Sequence, residues 1–193
     1  MKITTTLLEY ILKNAAPEDW SVQGFGMLRL YLTREIRLHI WCNKFMVPGA
    51  SMIHDHPWDF ESHILVGQLT NTVFKETNKG GTTMYSGVIL TGEGAKVLGT
   101  PKLVSMTTDS VRVYHPGDVY HQYMNEVHST KHMDGTVTVV YRKNRQTTDQ
   151  GDLALSYWSS ELGPDGWVSA APRQATMEEV NYGLRKVKQA MKQ

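Results

Sequence analysis

The chain has 193 residues and carries a net charge of +1, from 20 basic and 19 acidic side chains. Its hydrophobic fraction of 40% is ordinary for a soluble globular protein, and the near-zero charge gives no global electrostatic case for binding nucleic acid or an anionic membrane. Cys42 is the only cysteine, which excludes an intrachain disulfide and a thiolate metal cage and suits a reducing cytoplasm. The sequence shows no signal-peptide pattern and no run of about 18 apolar residues, so we expect a cytoplasmic protein without a membrane span.

A short helix is predicted at residues 6–15, because leucine and isoleucine side chains recur there on one face. From Gly24 to Arg142 the sequence changes to short β-rich stretches separated by Gly, Pro, Asn and Asp, the residues that allow tight turns. Since no helical pattern separates these stretches, we predict a sandwich or barrel rather than a parallel sheet with crossover helices. The predicted strands are Met27–Thr33, Ile36–Cys42, Met52–His56, Ser62–Val66, Thr70–Lys75, Thr83–Leu90, Ala95–Leu98, Lys102–Thr108, Val111–Tyr114, Val119–Tyr123 and Thr136–Tyr141.

The part of the chain after Arg142 is predicted to pack against this barrel. Its elements are a polar loop at residues 143–152, a hairpin whose strands Leu153–Ser159 and Trp167–Ala170 flank Gly163-Pro164-Asp165-Gly166, and a helix from Met177 to Met191. Thr176 and Glu179 have the spacing of a capping box at the start of that helix. We expect one domain, residues 1–193, with a barrel core at about 24–142 and the hairpin and helix at about 153–191.

The pair His54 and His56 is the strongest chemical signal in the sequence. Histidines at i and i+2 of a strand point the same way, so the two imidazoles would lie side by side as metal ligands. Glu61 and, from a later strand, His121 would complete a site of three nitrogens and one oxygen. Glu61 does not share the parity of the histidines, however. Unless a bend near Pro57 resets the register, Glu61 faces away and the site has three histidines.

Two segments resemble the two sequence motifs of the cupin superfamily. The first motif is matched by His54, His56, Glu61 and Gly67, and the second by Pro116, His121 and Asn125. The chain departs from the family pattern in having Asp118 where the second motif usually has glycine, and in a spacing from Gly49 to His54 that is one residue short. It is also similar to small cupins of phage and bacterial genomes, some labelled cysteine dioxygenase-like. In those proteins a His-x-His-Pro-Trp-Asp-Phe run, here residues 54–60, precedes a late Gly-Trp-Val, here residues 166–168.

The resemblance implies an all-β fold, the double-stranded β-helix or jelly-roll barrel of the cupins, with short N-terminal and C-terminal helices. It implies one divalent transition metal inside, held by His54, His56, Glu61 and His121. Fe(II) is the first expectation for that metal, and Zn, Mn, Ni, Co and Cu suit the same ligands. A phage-encoded chain would work in the host cytoplasm. Pairing through sheet edges would give a homodimer.

Three functions are open to such a chain. The first is a non-haem Fe(II)-dependent dioxygenase-type oxidoreductase that acts on a small molecule. The second is a non-redox metal-dependent isomerase, lyase or epimerase, in which Glu61 or His63 moves a proton. The third is a ligand-binding cupin module without catalysis. Glu61, His63 and Tyr123 are the candidate catalytic residues.

Several other side chains are candidates for the substrate pocket. Arg37 and His39 alternate onto one face of a strand, where the planar guanidinium suits an anionic group. The candidate pocket residues are Arg37, His39, Trp58, Tyr123, Asn125 and Arg142, and Phe60, Tyr120 and Tyr141 are further candidates for its wall. Asn125 is expected to cap a turn or support a ligand rather than to touch metal. His115, His128 and His132 lie near turns and are expected in solvent.

Overall fold

The computed structural model describes residues 5–48, 50, 52–91, 96–146, 152–159 and 170–192. This part of the chain contains thirteen strands and two α-helices. The helices are α1 (Thr5–Asn14) and α2 (Met177–Ala190). The strands are β1 (Trp20–Gln23), β2 (Phe25–Tyr31), β3 (Ile36–Met46), β4 (Ile53–His54), β5 (Asp59–Val66), β6 (Leu69–Glu76), β7 (Thr82–Thr91), β8 (Lys96–Tyr114), β9 (Val119–Gln122), β10 (Val127–His132), β11 (Val137–Lys143), β12 (Asp152–Trp158) and β13 (Arg173–Gln174). The predicted turn at 163–166, the Gly-Trp-Val at 166–168 and all but Ala170 of the strand predicted at 167–170 lie outside the described residues.

Eight of the strands form a jelly roll. The first sheet contains the antiparallel order β3-β11-β5-β9, and the second contains β4-β10-β6-β8. Counted along the chain from one to eight, these strands give sheets 1-8-3-6 and 2-7-4-5, so that successive strands cross between the sheets at almost every step. This double Greek key is the arrangement of cupin barrels, and the predicted all-β jelly-roll fold is confirmed.

The remaining strands extend both sheets. β2, β1 and β13 continue the first sheet beyond β3, while β7 and β12 join β8 to β4 and close the second sheet into a ring of six strands. Three strands predicted between Ala95 and Tyr114 are in fact one strand, β8. Residues 99–101, which were predicted to break it, form a bulge opposite Gly87, because the pairing with β7 moves from Lys102 with Ser86 to Leu98 with Val88.

Two apolar layers lie on opposite faces of the first sheet. The helices α1 and α2 cover its outer face, where the core residues include Leu8, Leu28, Leu38, Ile40, Val137, Val139, Val180 and Val187. Its inner face meets the second sheet across a second core that includes Phe25, Met27, Trp41, Trp58, Phe60, Ile64, Tyr120 and Val140. The central strands are therefore buried on both faces, and alternate residues along them point either toward the helices or into the barrel.

The start of α2 and the turn at Gly67 can both be explained from the sequence. Thr176 Oγ1 accepts a hydrogen bond from the Glu179 backbone, and Glu179 accepts one from the Thr176 backbone, so the predicted capping box is present. Gly67, in the turn between β5 and β6, has φ +77° and would place a Cβ 2.5 Å from Thr136 Oγ1. Only glycine fits there without strain. In the described part of the chain, neither helix is long and apolar enough to cross a membrane.

Candidate metal centre

Three imidazole rings meet inside the barrel, from His54, His56 and His128. One nitrogen of each ring lies within 4.8 Å of the others, and the Nε2 atoms of His56 and His128 are 3.1 Å apart. His54 and His56 share a face through the alternation of an extended chain. His128 joins them because β10 pairs with β4 so that His128 stands directly opposite His54.

Hydrogen bonds on the far side of two rings orient this cluster. His54 Nδ1 donates to the Met52 carbonyl at 2.9 Å, and His128 Nδ1 donates to Asn71 Oδ1 at 2.7 Å. Because both acceptors are oxygens without a proton, each bond places the imidazole proton on Nδ1 and the lone pair on Nε2. Both rings therefore present the nitrogen that a metal would bind.

A chain of amides fixes Asn71 in turn. Asn71 Nδ2 donates to Gln122 Oε1 at 3.0 Å, and Gln122 Nε2 donates to Glu126 Oε2 at 2.7 Å. Asn71 and Gln122 are 5% and 1% exposed, so this network lies inside the protein, with the Glu126 carboxylate at its far end. Buried support of this kind sets the tautomer and orientation of a metal-binding histidine.

The protonation state of the cluster also suits a cation. Burial lowers the pKa of His54 to about 4. Burial, and then the neighbouring histidines, hold the pKa of His56 well below its usual range, and the same causes act on His128. All three rings are neutral at pH 7, which is the form that binds metal.

The spacing fits one ion. Two ligand nitrogens at about 2.0–2.1 Å from a single ion lie roughly 3 Å from each other, as the Nε2 atoms of His56 and His128 do. Imidazole nitrogens suit divalent transition metals rather than calcium or magnesium. The residues present therefore fit a divalent transition metal, held by His54, His56 and His128.

The structure does not bring Glu61 and His121 into this cluster. Along β5, Phe60 and Ser62 are buried on the cavity side, so Glu61 points to the opposite, outer face of the sheet. His121 is the direct partner of Glu61 in the pairing of β5 with β9, and it points outward as well. Glu61 Oε1 lies 2.5 Å from Lys143 Nζ and 3.6 Å from His121 Nδ1. The group of side chains that could hold a metal is thus His54 and His56 with His128, without the expected Glu61 and His121.

Glu61 points outward because the bend at Pro57 does not reset the alternation of side chains between the two faces. Alternate residues from His54 to Ser62 all line the same cavity, across the bend at Pro57; they are His54, His56, Trp58, Phe60 and Ser62. The candidate acid–base residue His63 has the opposite parity and lies beside Glu61 and Tyr141 on the outer face, at 3.8 Å from the Glu61 carboxylate.

The expectation that His128 and His132 are solvated is wrong. His128 is 3% exposed, because it sits in strand β10, which was not predicted. His132, in the same strand, packs against the Trp41 ring with centroids 5.0 Å apart. His115 is exposed, as expected.

A cavity of about 340 Å³ opens next to the three histidines. Four predicted pocket residues line it, namely Arg37, His39, Trp58 and Arg142. Its apolar wall includes Phe25, Met27, Trp41, Phe60, Tyr120 and Val140. The volume suits one small molecule.

Two predicted pocket residues do not line this cavity. Tyr123, which was also a candidate catalytic residue, is 67% exposed. Asn125 forms the turn before β10 with φ +62°, and its backbone N–H donates to the His56 carbonyl at 3.0 Å. Asn125 thus supports the ligand segment through its backbone, in line with the expectation that it would cap a turn.

Some residues of the site were not foreseen, although the sequence carries a signal for two of them. Arg29 and Tyr31 line the cavity from β2, where they alternate with buried Leu28 and Leu30. This is the alternation that made Arg37 and His39 candidates on the next strand. Asn71 and Gln122 carry no such signal, since single amides occur throughout the sequence.

Comparisons with known proteins assign neither a family nor a function to the chain. No protein-family model matches the sequence, and no curated protein matches it. Among solved structures, the chain is similar to one described as hydroquinone 1,2-dioxygenase PnpCD in complex with Cd²⁺ and 4-hydroxybenzonitrile. The TM-score is 0.37 at 10% sequence identity, over 74% of this chain and 72% of that chain. A likeness at this level does not assign a function.

Proposed function

We propose that the chain is a metal-dependent enzyme of the cupin type, a non-haem Fe(II) dioxygenase-type oxidoreductase that acts on a small molecule. The observation that carries this proposal is the convergence of His54, His56 and His128 at the wall of a cavity of about 340 Å³. A metal held by three protein ligands keeps coordination positions for other molecules. A cavity beside it gives a substrate room to reach those positions.

The protein's own residues have separate tasks in this proposal. A redox-active ion, when bound, supplies the binding and activation of O₂ next to the substrate. His54, His56 and His128 hold the ion, and the buried amides of Asn71 and Gln122 keep the His128 ring in one tautomer. The aromatic wall orients the substrate and excludes water from the reacting groups.

The distribution of acids favours an oxygenase over an enzyme that moves protons. Among the described residues that line the cavity, the carboxylates are Asp55 and Asp152. Asp55 accepts a hydrogen bond from the Leu155 backbone at 2.6 Å, and Asp152 pairs with Arg145 at 3.0 Å. Glu61 and His63, the expected proton carriers of an isomerase or epimerase, lie on the outer face of the sheet.

A lyase or hydratase using Zn²⁺ is the second candidate. Three neutral imidazoles are also the ligand set of catalytic zinc, where a bound water provides the base that the cavity's carboxylates do not. A non-catalytic ligand-binding module is the remaining alternative, and it needs no metal. A small-molecule substrate, a cytoplasmic location, a homodimer and kinship with the small phage and bacterial cupins complete the proposal.

The test is anaerobic reconstitution with Fe²⁺, followed by metal analysis and by O₂-uptake measurements with thiols, diketones, phenols and small organic acids. We expect uptake with at least one substrate class in the Fe²⁺ protein and none in the Zn²⁺ protein or in His128→Ala. Metal binding without O₂ uptake, together with activity of the Zn²⁺ protein under nitrogen, would establish the second candidate. A chain that takes up no metal would be a binding module.

A further inference from the structure

Three arginine side chains point into the same cavity from neighbouring strands of the first sheet. Arg29 lies on β2, Arg37 on β3 and Arg142 on β11, and all three line the cavity. They are 9%, 7% and 6% exposed, although arginine is seldom buried this deeply unless it is paired. Three guanidinium groups therefore place their positive charges inside the barrel.

The guanidinium carbons of Arg29, Arg37 and Arg142 lie 5.1, 5.7 and 5.6 Å from the centre of the Tyr31 ring, and apart from this contact their charges have few protein partners. Arg29 donates to two neutral groups, Ser21 Oγ at 3.2 Å and Gln23 Oε1 at 3.4 Å. Arg142 donates to the Arg34 carbonyl, and its Nε is 3.9 Å from the half-exposed Glu35 carboxylate. Within the described part of the chain, that distant pair is the one ion pair that reaches any of the three arginines.

Arg37 interacts with the Tyr31 hydroxyl and with no carboxylate among the described residues. Its Nε has no hydrogen-bond partner among the described residues. Burial lowers the pKa of Arg37 to about 9; Tyr31 opposes this shift, and the charges of Arg29 and Arg142 add to it. The group is still charged at pH 7. A buried charge without a counter-charge is costly to the fold. An anion that enters the cavity would supply a counter-charge for this group.

The arginines and the histidines are joined by one indole ring. Trp58 stacks on His56, with ring centroids 5.0 Å apart and 29° between the planes. The guanidinium carbons of Arg37 and Arg142 lie 5.5 and 5.4 Å from the centre of the Trp58 ring. One small molecule in this cavity can therefore reach the arginines and the histidines at the same time.

His39 faces the cavity between these groups. It lies on the same face of β3 as Arg37 and pairs across the strands with Arg29. Neither of its ring nitrogens has a hydrogen-bond partner among the described residues. A ligand in the cavity can accept a hydrogen bond from this ring.

We propose that the cavity takes a small organic acid with an apolar body, whose carboxylate or phosphate group is bound by Arg29, Arg37 and Arg142 while its other end faces His54, His56 and His128. The statement that this acid is a substrate rests on the proposed function; the anion site itself rests on the arginines. The planar fork of a guanidinium matches the two oxygens of either group, and the aromatic wall matches an apolar body.

Binding to the metal-free full-length chain tests the anion site without any need for activity. The probes are acid and amide pairs of graded size, acetate with acetamide and benzoate with benzamide, together with phenyl phosphate, measured by calorimetry. We expect at least one acid to bind about tenfold or more tightly than its amide, with affinity falling as salt is added. The ratio of benzoate to phenyl phosphate identifies the preferred anion. Amides that bind as well as their acids would overturn the proposal.

Variants separate a binding role from a structural one. Arg37→Met should weaken acid binding by about tenfold or more, whereas Arg112→Met, on the exposed part of β8, should leave it unchanged. Arg37→Met should also raise the melting temperature of the ligand-free protein, because it removes an unpaired buried charge. If Arg37 instead stabilised the fold, Arg37→Met would lower the melting temperature. If Arg37→Met does not fold, Arg142→Lys keeps the charge and loses the fork, and unchanged acid binding in that variant would overturn the proposal.

The same measurements keep this inference distinct from the proposed function. Acid binding by a chain that takes up no metal would support the arginine site and reject the metal-dependent enzyme. Metal uptake with O₂ consumption, in a chain that binds amides as well as acids, would reject the arginine site and leave the enzyme standing.

Discussion

His128 lies directly opposite His54 in the antiparallel pair formed by β10 and β4. This register selects the histidines that meet inside the barrel, since His56 follows His54 on the same face. It also explains why His121 does not take part: His121 lies on β9 of the other sheet, paired with Glu61 and facing out. The metal centre that we propose therefore depends on the pairing of two short strands.

The first prediction concerns the amide that orients His128. Asn71→Ala removes the acceptor of the His128 Nδ1 proton, so the ring is free to rotate or to adopt the other tautomer. Loss of such support weakens metal binding by about 10–100-fold. A competition titration with Co²⁺ and a chromophoric chelator measures this change. Asn78→Ala, on the exposed turn after β6, is the matched control, and equal dissociation constants for the two variants would contradict the assignment.

The second prediction concerns Glu61. Its carboxylate pairs with Lys143 at 2.5 Å on the outer face of the sheet, and that contact holds the pKa of Glu61 below its usual range. Because surface ion pairs contribute little, Glu61→Gln should change the free energy of unfolding by less than about 1 kcal/mol. Metal content should stay at the wild-type value. A variant that loses its metal would show that Glu61 is a ligand after all.

The third prediction is a loss of stability in mild acid. Burial lowers the pKa of His132 to about 4, whereas an unfolded histidine titrates near ~6.5. Between about pH 6.5 and 4, the unfolded chain binds a proton on this histidine that the folded chain does not. The free energy of unfolding therefore falls as pH drops through this range. Urea midpoints between pH 7 and 4.5 measure the slope.

The control for this effect exchanges single histidines. His132→Phe should reduce the slope, because the unfolded chain then has one group fewer to protonate, and His115→Gln, at an exposed position, is the matched control. A slope that His132→Phe leaves untouched would place the acid sensitivity elsewhere.

The fourth prediction compares two glycines with positive φ, Gly67 and Gly117. Gly67→Ala would put a Cβ 2.5 Å from Thr136 Oγ1 at a φ of +77°, so it adds a steric clash to backbone strain. Gly117 has φ +95° with open space around it, so Gly117→Ala adds the strain alone, about 1–2 kcal/mol. Chemical denaturation should therefore show the larger loss for Gly67→Ala. Equal losses would contradict the close approach of Thr136.

Much of the fold could be predicted from the sequence, because turn residues punctuate the barrel strands. The failures have physical causes. β10 was missed because its inward positions His128 and Thr130 are polar, so it shows no apolar alternation. The first of the two breaks predicted within β8 arose because Gly99 and Pro101 were interpreted as a turn, whereas a bulge absorbs them. Hydrophobic patterns predict strands that face a core, and they fail for strands that face a polar cavity.

Part of the site could also be predicted from the sequence. His54 and His56 follow from the spacing of two residues alone. The parity of Glu61 already pointed outward and to a three-histidine site, and the structure shows that the bend at Pro57 does not alter that parity. The third histidine could not be chosen from the sequence, because it depends on which strands pair and in what register, and pairing is a property of the whole fold.

Metal content of two single-histidine variants tests the central claim most directly. Wild type, His128→Ala and His121→Ala would be reconstituted with Fe²⁺ or Co²⁺ under nitrogen, desalted and analysed for metal per chain. The structure predicts about one ion per chain in wild type and in His121→Ala, and little or none in His128→Ala. Retention of metal by His128→Ala, with its loss from His121→Ala, would contradict the proposed centre.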